Sequence, residues 1–552
     1  MKLTGSQIVM EVLLEQKVDT VFGYPGGAAL NVYDALYEYS DRIHHVLTAH
    51  EQGAAHAADG YARSTGKTGV VFSTSGPGAT NLVTGIATAY MDSIPMVAIT
   101  CNVGDSLIGR DAFQEISITG VTLPITKHNY FVNRIENLAG AIRNAFRIAN
   151  EGRKGPVLID ITKDVTAAMI EYEKQEPLTT SPNPVVKDKD IQTVARIINT
   201  CKRPVIYFGG GVEASDAREE LHTLLQKADI PATYTMMAAG VLDCDDPKNL
   251  GLIGMHGTIA ANKAIDEADL VIALGTRFSD RVALNPRRFA QRAAIIQIDI
   301  DESEINKNVL INYSLIGDLK EVLSKMLPYI EETKHTEWVD KVTAYQRSVR
   351  VPLKDAALRP KDLIEAVCDH TDKDTIYVTD VGQHQMWAAQ YVKHHKTRRF
   401  ITSGGLGTMG FGYGAAIGAQ MGNPDKRVIH FTGDGSFHMN LNEACTAVSY
   451  DLPIITIIMD NKVLGMVYQW QTVFYNKHYS QTVLNRKTNY PEVAKGFGAT
   501  GFECNTLEEF EEAFEKALQC KGPVWIACNI DKEERVLPMI PNGGTVEDMI
   551  ID

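Results

Sequence analysis

Two oxygen-bearing side chains follow apolar runs in the last third of the sequence. Asp434 comes directly after the strand-like run Arg427–Thr432, and Asn461 follows the run Pro453–Met459. Because the carboxyl ends of parallel strands meet at one edge of a sheet, we expect the two side chains to lie close together. Carboxylate and amide oxygens suit a Mg²⁺ ion that also binds phosphate. The alternative is a plain Gly-Asp-Gly turn and a helix cap, but the paired spacing after two strands favours the site.

A third polar group stands in the first part of the chain. Glu51 follows the strand-like run His45–Thr48 and precedes a small-residue, helix-like stretch, Ala54–Arg63. A carboxylate among Ala and Gly at a strand end is a poor place for a solvated charge, so it can hold or deliver a proton in catalysis. The structural alternative is a first-turn Glu that favours the helix dipole.

Alternating strand-like and helix-like runs must position these groups. A first helix is predicted over Ser6–Gln16, with Thr4 and Gln7 placed for a capping box. Further strand-like runs recur along the chain: Thr20–Gly23, Gly69–Phe72, Met96–Thr100, Pro204–Phe208, Leu270–Leu274, Ile295–Ile298 and Thr375–Val378. Continuous apolar strands between helices are typical of parallel sheets covered on both faces. The predicted fold is therefore α/β, with three doubly wound parallel-sheet domains.

Two Pro-rich or charge-rich stretches divide the chain. We expect a first domain at 1–172, a linker at 173–190, a central domain at 191–327, a second linker at 328–360, a third domain at 361–530 and a tail at 531–552. A length of 552 residues leaves room for several hydrophobic cores.

Composition excludes several classes of protein. The net charge is −14, so the chain lacks the excess of basic residues that nonspecific binding to nucleic acids or anionic membranes needs. The eight cysteines are dispersed, as in a reduced intracellular chain. No signal-peptide core fits the N-terminus, and no apolar run approaches the ~18 residues of a membrane span. We therefore expect a cytoplasmic protein with no membrane or nucleic-acid partner.

The sequence Gly433-Asp434-Gly435, followed by Asp460-Asn461, resembles the motif shared by thiamine-diphosphate-dependent enzymes. The resemblance implies that the Asp434 and Asn461 side chains and the Val463 carbonyl bind Mg²⁺. It implies that Glu51 hydrogen-bonds the aminopyrimidine ring of thiamine diphosphate and promotes removal of its reactive proton. In that superfamily the Glu of one chain meets the diphosphate domain of another, so a homo-oligomer, at least a dimer, is implied.

Longer segments narrow the resemblance. Nearly the whole chain resembles the catalytic large subunit of acetolactate synthase, of the biosynthetic, FAD-containing type. The segments that carry this resemblance are residues 22–28, 75–81, 111–115, 254–258, 380–387, 403–410 and 464–467, with Gln469-Trp470. One departure is Ser279, which stands where the family has an acid before Asp280 and Arg281.

The family resemblance implies roles for many residues. Around thiamine diphosphate it places Gly27, Pro77, Asn81, Gln383, His384, Met409, Gly435, Ser436 and Met466. Around FAD it places Gly209, Gly210, Gly211, Met255, His256, Gly257, Asp280, Asp299, Ile300 and Asp318. Around the substrates it places Arg281 on the carboxylate of a second keto acid, Trp470 on the methyl group that distinguishes 2-ketobutyrate from pyruvate, and Phe113, Gln114 and Lys127 along the channel. The structural alternatives are surface ion pairs for the two cations and core packing for the two aromatic residues.

The implied reaction is decarboxylation of pyruvate on thiamine diphosphate and condensation with a second 2-keto acid. With pyruvate or 2-ketobutyrate it gives 2-acetolactate or 2-aceto-2-hydroxybutyrate, the first common step of branched-chain amino-acid biosynthesis. Family members commonly pair with a small regulatory subunit, which is the expected partner. The tail segment Val536–Pro541 is expected to fold over the site and exclude water.

Three other functions compete with this interpretation. A pyruvate oxidase would pass electrons to FAD, but Arg281 and Trp470 serve a second keto acid. A catalytically silent binding paralogue is disfavoured because Glu51, Asp434 and Asn461 are all present. A nicotinamide dehydrogenase would rest only on a glycine-rich run, Gly404–Gly418, with no acidic residue at the distance that a dinucleotide fingerprint requires.

Overall fold

Three six-stranded parallel sheets organise the chain, as the computed structural model describes it over residues 1–348 and 358–551. Helices cover both faces of each sheet, so the predicted fold class is confirmed. None of the helices within the described residues is long and apolar enough to span a membrane.

The first domain opens with a short strand and a capped helix. Thr4 accepts the N–H of Gln7, and the Gln7 side chain accepts the N–H of Thr4, which confirms the predicted capping box. Its strands are β1 (Lys2–Thr4), β2 (Thr20–Gly23), β3 (His44–Leu47), β4 (Gly69–Ser73), β5 (Met96–Asn102), β6 (His128–Val132), β7 (Pro156–Thr162) and β8 (Met169–Glu171). Its helices are α1 (Gly5–Glu15), α2 (Leu30–Glu38), α3 (Glu51–Thr65), α4 (Pro77–Asn81), α5 (Val83–Asp92), α6 (Ile118–Thr122), α7 (Ile135–Asn150) and α8 (Lys163–Ala167).

The central domain repeats the strand–helix alternation. Its strands are β9 (Pro204–Phe208), β10 (Ala232–Tyr234), β11 (Asn249–Leu252), β12 (Leu270–Leu274), β13 (Ala294–Asp299) and β14 (Tyr313–Ile316). Its helices are α9 (Asp188–Thr200), α10 (Gly210–Ala214), α11 (Arg218–Ala228), α12 (Ile259–Glu267), α13 (Leu319–Met326) and α14 (Thr336–Ala344).

The third domain carries the Asp434 and Asn461 segments. Its strands are β15 (Ile376–Thr379), β16 (Phe400–Ile401), β17 (Val428–Gly433), β18 (Ile455–Asp460), β19 (Thr500–Cys504) and β20 (Val524–Asn529). Its helices are α15 (Pro360–Asp369), α16 (Gln383–Tyr391), α17 (Phe411–Gly422), α18 (Asp434–Asn440), α19 (Ala444–Ser449), α20 (Gly465–Phe474), α21 (Tyr490–Phe497) and α22 (Leu507–Gln519).

Strand order separates the central domain from the other two. The first sheet runs β3-β2-β4-β5-β7-β6 and the third runs β16-β15-β17-β18-β20-β19, which is one pattern used twice. The central sheet runs β11-β10-β9-β12-β13-β14, the order typical of dinucleotide-binding folds. In each sheet the loops that follow the strands gather at the carboxyl edge, where ligands of open α/β sheets bind.

The stretch predicted as a second linker contains structure of its own. Within 328–348, α14 packs on the central domain, where the Trp338 indole N–H donates to the Pro204 carbonyl at 2.9 Å and Val342 is fully buried. Residues 349–357 of that predicted linker lie outside the described residues. The first predicted linker reaches into α9, which begins at Asp188.

Helices α3 and α17 join the first and third domains through small residues. A Cβ at Gly60 would overlap the backbone of Ala415, and a Cβ at Gly418 would overlap the Ala57 carbonyl. The backbones can approach this closely only because glycine has no side chain. This contact fixes the helix that begins at Glu51 against the third domain.

Candidate active site

The third domain brings its two predicted metal ligands to one sheet edge. Asp434 is the first residue of α18 and is 4% exposed, and Asn461 directly follows β18 and is 8% exposed. Strands β17 and β18 pair in parallel, with Gly433 opposite Met459. The Asn461 amide donates to the Gln383 side-chain oxygen at 3.2 Å, and its own oxygen accepts the Val463 N–H at 3.2 Å.

The buried carboxylate at this edge would be stabilised by a bound cation. Burial, together with the neighbouring Asp460 carboxylate, raises the pKa of Asp434 to about 7. Asp460 is ion-paired with Lys462, which leaves Asp434 as the carboxylate to be neutralised. A divalent ion held by Asp434 and Asn461 would supply the missing positive charge with the hard oxygen ligands that Mg²⁺ prefers. The residues present therefore fit the predicted Mg²⁺ ion.

Polar atoms beside Asp434 fit a diphosphate group. His384 is buried, its Nε2 atom has no hydrogen-bond partner among the described residues, and its ring lies where a Cβ of Gly433 would come 2.8 Å from Nδ1. A buried polar atom without a partner is unfavourable unless a ligand satisfies it. The Ser436 hydroxyl accepts the Gly410 N–H at 3.2 Å, which holds Met409 next to the Gly435 backbone.

The first domain places Glu51 differently from the sequence expectation. Glu51 is the first residue of α3, so it stands in the first helical turn, and only Thr48, Ala49 and His50 separate it from β3. The Asn81 amide donates to its Oε2 atom at 2.9 Å. Asn81 thus holds the carboxylate at the carboxyl edge of the first sheet.

Other first-domain residues at this edge are open to solvent. Gly27 follows β2 and Pro77 begins α4 after β4, and both are exposed. Phe113, in the loop after β5, is 87% exposed, and its neighbour Gln114 adopts a left-handed backbone conformation with φ of 61°. This exposed apolar edge borders Glu51.

Lys127 lies at the amino ends of the strands of the same sheet, opposite the carboxyl edge that holds Glu51. It precedes β6, whereas Glu51 follows β3, and the sheet is parallel. Its ammonium donates to the carbonyls of Ile148 and Glu151 at the end of α7, and burial lowers its pKa to about 8. Within one chain the structure separates Lys127 from Glu51, so the channel role of Lys127 stays a prediction.

The predicted FAD residues gather at the carboxyl edge of the central sheet. Gly209–Gly211 follow β9, Met255–Gly257 follow β11, Asp299 ends β13 and Ile300 follows it, and Asp318 follows β14. The N–H groups of Gly209 and Gly211 donate to the Leu274 and Gly275 carbonyls at 2.9 and 3.1 Å, so these glycines first serve close packing of neighbouring loops.

Two polar groups at that edge suit a bound ligand. His256 is 7% exposed, burial lowers its pKa to about 4, and its Nδ1 atom lacks a hydrogen-bond partner among the described residues. Burial also raises the pKa of Asp299 to about 6, a sign that its charge is poorly compensated. The Gln390 amide of α16 donates to the His256 carbonyl at 2.9 Å, which sets the central-domain edge beside the third domain.

The predicted substrate residues take different surroundings. Arg281 is 61% exposed, with Asp280 4.0 Å away, and its carbonyl accepts the Met255 N–H at 2.8 Å. Trp470 on α20 packs against Phe474, with ring centroids 5.3 Å apart, and against the tail residue Met539. The Arg281 guanidinium is thus exposed enough to meet an anion, and Trp470 is part of an apolar wall.

The C-terminal tail covers the third-domain edge. The Val536 N–H donates to the Gln469 side-chain oxygen at 3.0 Å, and the Gln469 amide donates back to the Val536 carbonyl at 3.2 Å. The Gln383 amide donates to the Glu534 carbonyl at 2.9 Å, and Met539 is 1% exposed. The tail therefore lies over the residues next to Asn461.

Comparisons of the sequence with known proteins identify its family. Residues 3–121, 191–326 and 380–528 match family models described as the thiamine pyrophosphate enzyme N-terminal TPP binding domain, central domain and C-terminal TPP binding domain. A probable acetolactate synthase large subunit of Methanocaldococcus jannaschii is 44% identical over 99% of this chain and 95% of its own length. The chain belongs to the acetolactate synthase large-subunit family.

Further relatives of this acetolactate synthase family show the same extent of match. The acetolactate synthase isozyme 1 large subunit of Escherichia coli K12 is 43% identical over 100% of this chain and 98% of its own length. The acetolactate synthase large subunit of Porphyra purpurea is 41% identical over 99% and 95%. The family resemblance predicted from the sequence is confirmed, and the two outer domains are of the thiamine-diphosphate-binding kind.

One residue of this acetolactate synthase family member was missed by sequence reasoning. Glu443 ends a 3₁₀ turn, Leu441–Glu443, that directly precedes α19. Its carboxylate is fully buried against the loop that precedes Glu51. The only signal in the sequence is an acid beside apolar and small residues, which does not identify a partner almost 400 residues away.

A second polar cluster lies away from the predicted metal ligands. Asp243, Cys244, Asp245 and His395 place one ligand atom each within 4.8 Å of one another. The His395 ring pairs with Asp243 at 2.9 Å, and Lys373 lies 3.5 Å from Asp245. Ion pairing between the central and third domains accounts for this group.

Proposed function

We propose that this chain is the catalytic subunit of an acetolactate synthase. It would decarboxylate pyruvate and join the remaining two-carbon unit to a second 2-keto acid, pyruvate or 2-ketobutyrate. The observation that supports the proposal is that matching sheet edges of two domains carry the residues expected for the two halves of a thiamine-diphosphate site. One edge holds Glu51 with Asn81, and the other holds Asp434 with Asn461.

Thiamine diphosphate, when bound, supplies the carbanion chemistry that amino-acid side chains lack. The protein's own task is to handle protons and to hold charge. Glu51 would hold a proton at its carboxylate, next to the aminopyrimidine ring, with Asn81 fixing its orientation by the 2.9 Å hydrogen bond. Gly27, Pro77 and Met409 would border the rings.

Diphosphate binding falls to the third domain. Asp434, Asn461 and the Val463 carbonyl would hold Mg²⁺, because Asp434 is buried without a compensating cation of its own. Gln383, His384, Gly435 and Ser436 would line the diphosphate, and Met466 would complete the wall. The unpartnered Nε2 atom of His384 supports this arrangement.

FAD would occupy the carboxyl edge of the central sheet. The dinucleotide-type strand order and the unpartnered Nδ1 atom of His256 support it. Gly209–Gly211, Asp299, Ile300 and Asp318 would lie along the adenosine and pyrophosphate. Met255, His256, Gly257 and Asp280 would lie along the flavin.

The second keto acid would bind between the central and third domains. The exposed guanidinium of Arg281 offers a planar fork that matches a carboxylate. Trp470 would contact the additional methyl group of 2-ketobutyrate, and Phe113, Gln114 and Lys127 would line the approach. The tail would keep water away from the reacting atoms.

The exposed edge of the first domain supports association with other chains. Phe113 is 87% exposed and Leu30 is 56% exposed beside Gly27 and Pro77. A second copy that covers this edge with its third domain would complete each site, so we propose a homodimer or higher homo-oligomer. A small regulatory subunit is proposed as a further partner, and the cytoplasm as the location.

Product analysis tests the proposal. The purified protein, with Mg²⁺, thiamine diphosphate and FAD, is incubated with pyruvate anaerobically and in air. Acetolactate formed at the same rate under both conditions is the expected result. Acetate or acetyl phosphate with peroxide in air would mean an oxidase, and cofactor binding without loss of pyruvate would mean a silent paralogue.

A further inference from the structure

A carboxylate of the third domain supports the loop that carries Glu51 in the same chain. Glu443 is fully buried, and its Oε2 and Oε1 atoms accept the N–H groups of Ala49 and His50, each at 3.1 Å. The Thr446 hydroxyl donates to Oε2 at 2.7 Å. Both oxygens are therefore used, and two of the three bonds go to the residues directly before Glu51.

These backbone groups depend on an acceptor from outside α3. His50 is the N-cap residue, and its own side chain already accepts the Gln52 N–H at 3.1 Å. The N–H groups of Ala49 and His50 precede the helix, so no helical carbonyl can accept them, and an unpaired buried N–H is unfavourable. Glu443 removes that penalty for both groups at once.

The Glu443 carboxylate packs closely against the first turn of α3. A Cβ at Gly53, in the first turn of α3, would overlap the Glu443 carboxylate. Burial, with a smaller contribution from the nearby Glu51 charge, raises the pKa of Glu443. The hydrogen bonds from Thr446, Ala49 and His50 act in the opposite direction without cancelling this rise. The group is thus packed under the turn that begins with Glu51.

The same stretch of chain carries the predicted metal ligand. Asp434 begins α18, and the 3₁₀ turn that ends at Glu443 follows α18 directly. One short run therefore has the diphosphate edge at its start and the support of the Glu51 loop at its end.

We propose that Glu443 is a positioning residue that fixes the location of Glu51 through the backbone of Ala49 and His50. The proposal rests on the proposed function, in which Glu51 handles a proton of thiamine diphosphate. Loss of one charge-assisted hydrogen bond to the loop would let Glu51 move from its productive position. Cofactor binding, which the third domain provides elsewhere, would be retained.

The test replaces Glu443 by Gln, which has the same shape but turns an N–H₂ group toward one of the backbone donors. The readout is the rate at which the C2 proton of bound thiamine diphosphate exchanges with deuterium, because that rate depends on Glu51 and not on the second keto acid. We expect Glu443→Gln to slow this exchange and kcat by ~10–100-fold, the effect of one lost bond to a charged group. The KM for pyruvate and the Kd for thiamine diphosphate should stay within about threefold.

Tyr450→Phe is the matched control. The Tyr450 hydroxyl accepts the Leu47 N–H at 2.8 Å, so it also ties the third domain to this part of the first, but farther from Glu51. Its exchange rate should stay within about threefold of wild type. Unchanged exchange in Glu443→Gln, or an equal loss in both variants, would overturn the proposal.

A second variant covers a failure of Glu443→Gln to fold. Glu443→Asp keeps the charge but shortens the reach to Ala49 and His50, and it should slow C2 exchange at retained cofactor affinity. Wild-type exchange in that variant would also overturn the proposal. C2 exchange is common to thiamine-diphosphate enzymes, so a wild-type protein that exchanges this proton but makes no acetolactate contradicts the proposed function and leaves the role of Glu443 measurable.

Discussion

The first and third domains can be compared strand by strand. Numbered in chain order within each sheet, both have the order 2-1-3-4-6-5. After strand 2 the first domain carries Glu51 and the third carries Met409. After strand 3 the first carries Pro77, an exposed apolar residue, and the third carries Asp434, a buried carboxylate. At these two equivalent positions, one domain therefore carries a carboxylate where the other carries an apolar residue.

The difference shows that function lies in the loops and not in the sheet. The edge of the first domain is open and apolar, whereas the edge of the third is polar, buried and covered by the tail. The central domain, whose strand order is 3-2-1-4-5-6 in the same numbering, follows neither pattern.

The largest expected effect comes from the first-domain edge. Glu51→Gln keeps the hydrogen bond to Asn81 but removes the proton-handling carboxylate, so kcat should fall by ~10²–10⁴-fold. Because we propose that the third domain binds the diphosphate, the Kd for thiamine diphosphate should change little. Steady-state acetolactate formation and calorimetric titration of the cofactor measure the two quantities. Weakened cofactor binding with normal turnover in Glu51→Gln would contradict this division of roles between the two domains.

The opposite pattern is expected at the third-domain edge. Asp434→Asn removes the buried charge that would hold Mg²⁺, so the affinity for thiamine diphosphate should fall by at least ~10-fold, or ~1.4 kcal/mol. Raising Mg²⁺ and cofactor should restore part of the activity. Titration of the cofactor at several Mg²⁺ concentrations measures this, with Glu51→Gln as the matched control. Equal cofactor affinity with and without Mg²⁺ in the wild type would contradict the metal assignment.

A smaller effect is expected at the wall next to the third-domain edge. Trp470→Leu shortens the apolar surface offered to a substrate methyl group, and one such group is worth ~10-fold in selection. The ratio of acetohydroxybutyrate to acetolactate, from mixed 2-ketobutyrate and pyruvate, should fall by about that factor.

The control for this variant is its ring partner. Phe474→Leu removes the aromatic contact at 5.3 Å but not the indole, and should leave the product ratio near that of the wild type. Equal losses of both products in Trp470→Leu would mean that Trp470 serves packing against the tail rather than selection.

Strongly apolar strands were predictable from local sequence. The strands Thr20–Gly23, Pro204–Phe208 and Leu270–Leu274 have the predicted bounds, since each is rich in β-branched or aromatic residues and directly follows a charged residue. The short strand Ala232–Tyr234 and the polar-edged strand His128–Val132 were missed, because three residues or a mixed run carry no clear period.

For the site, the local motifs were predictable and their contacts were not. The Asp434 and Asn461 segments follow their strands as expected, because the spacing is local to one strand–helix–strand unit. The start of α3 at Glu51 depends on the His50 cap, and the burial of Glu443 depends on a different domain. Long-range packing decides such features, and one sequence without its fold does not reveal it.

The smallest expected effect contrasts two buried aspartates of the outer domains. Burial raises the pKa of Asp160 to about 6, although Thr100 and Asn102 each donate to it at 2.7 Å. Burial also acts on Asp380 in the third domain, but the His430 ring, whose Nε2 atom lies 3.3 Å from its carboxylate, lowers the pKa of Asp380 to about 2. The two groups should therefore respond to pH in opposite ways.

For Asp160 the folded pKa is above the unfolded value of 3.8. Between about pH 4 and 6 the unfolded chain has lost this proton and the folded chain retains it, so the contribution of Asp160 to stability falls as pH rises through that window, by at most ~3 kcal/mol. For Asp380 the folded pKa is below the unfolded value, so its contribution to stability is present above about pH 4 and is lost as pH falls toward 2.

The substitution Asp160→Asn should abolish the pH dependence that Asp160 contributes and leave that of Asp380 unchanged. Hydrogen exchange of the β7 amides at pH 4.5, 5.5 and 6.5, corrected for the intrinsic rate, measures the free energy of opening. The wild type should lose stability relative to the variant as pH rises, and parallel curves would mean that Asp160 stays ionised in the folded protein.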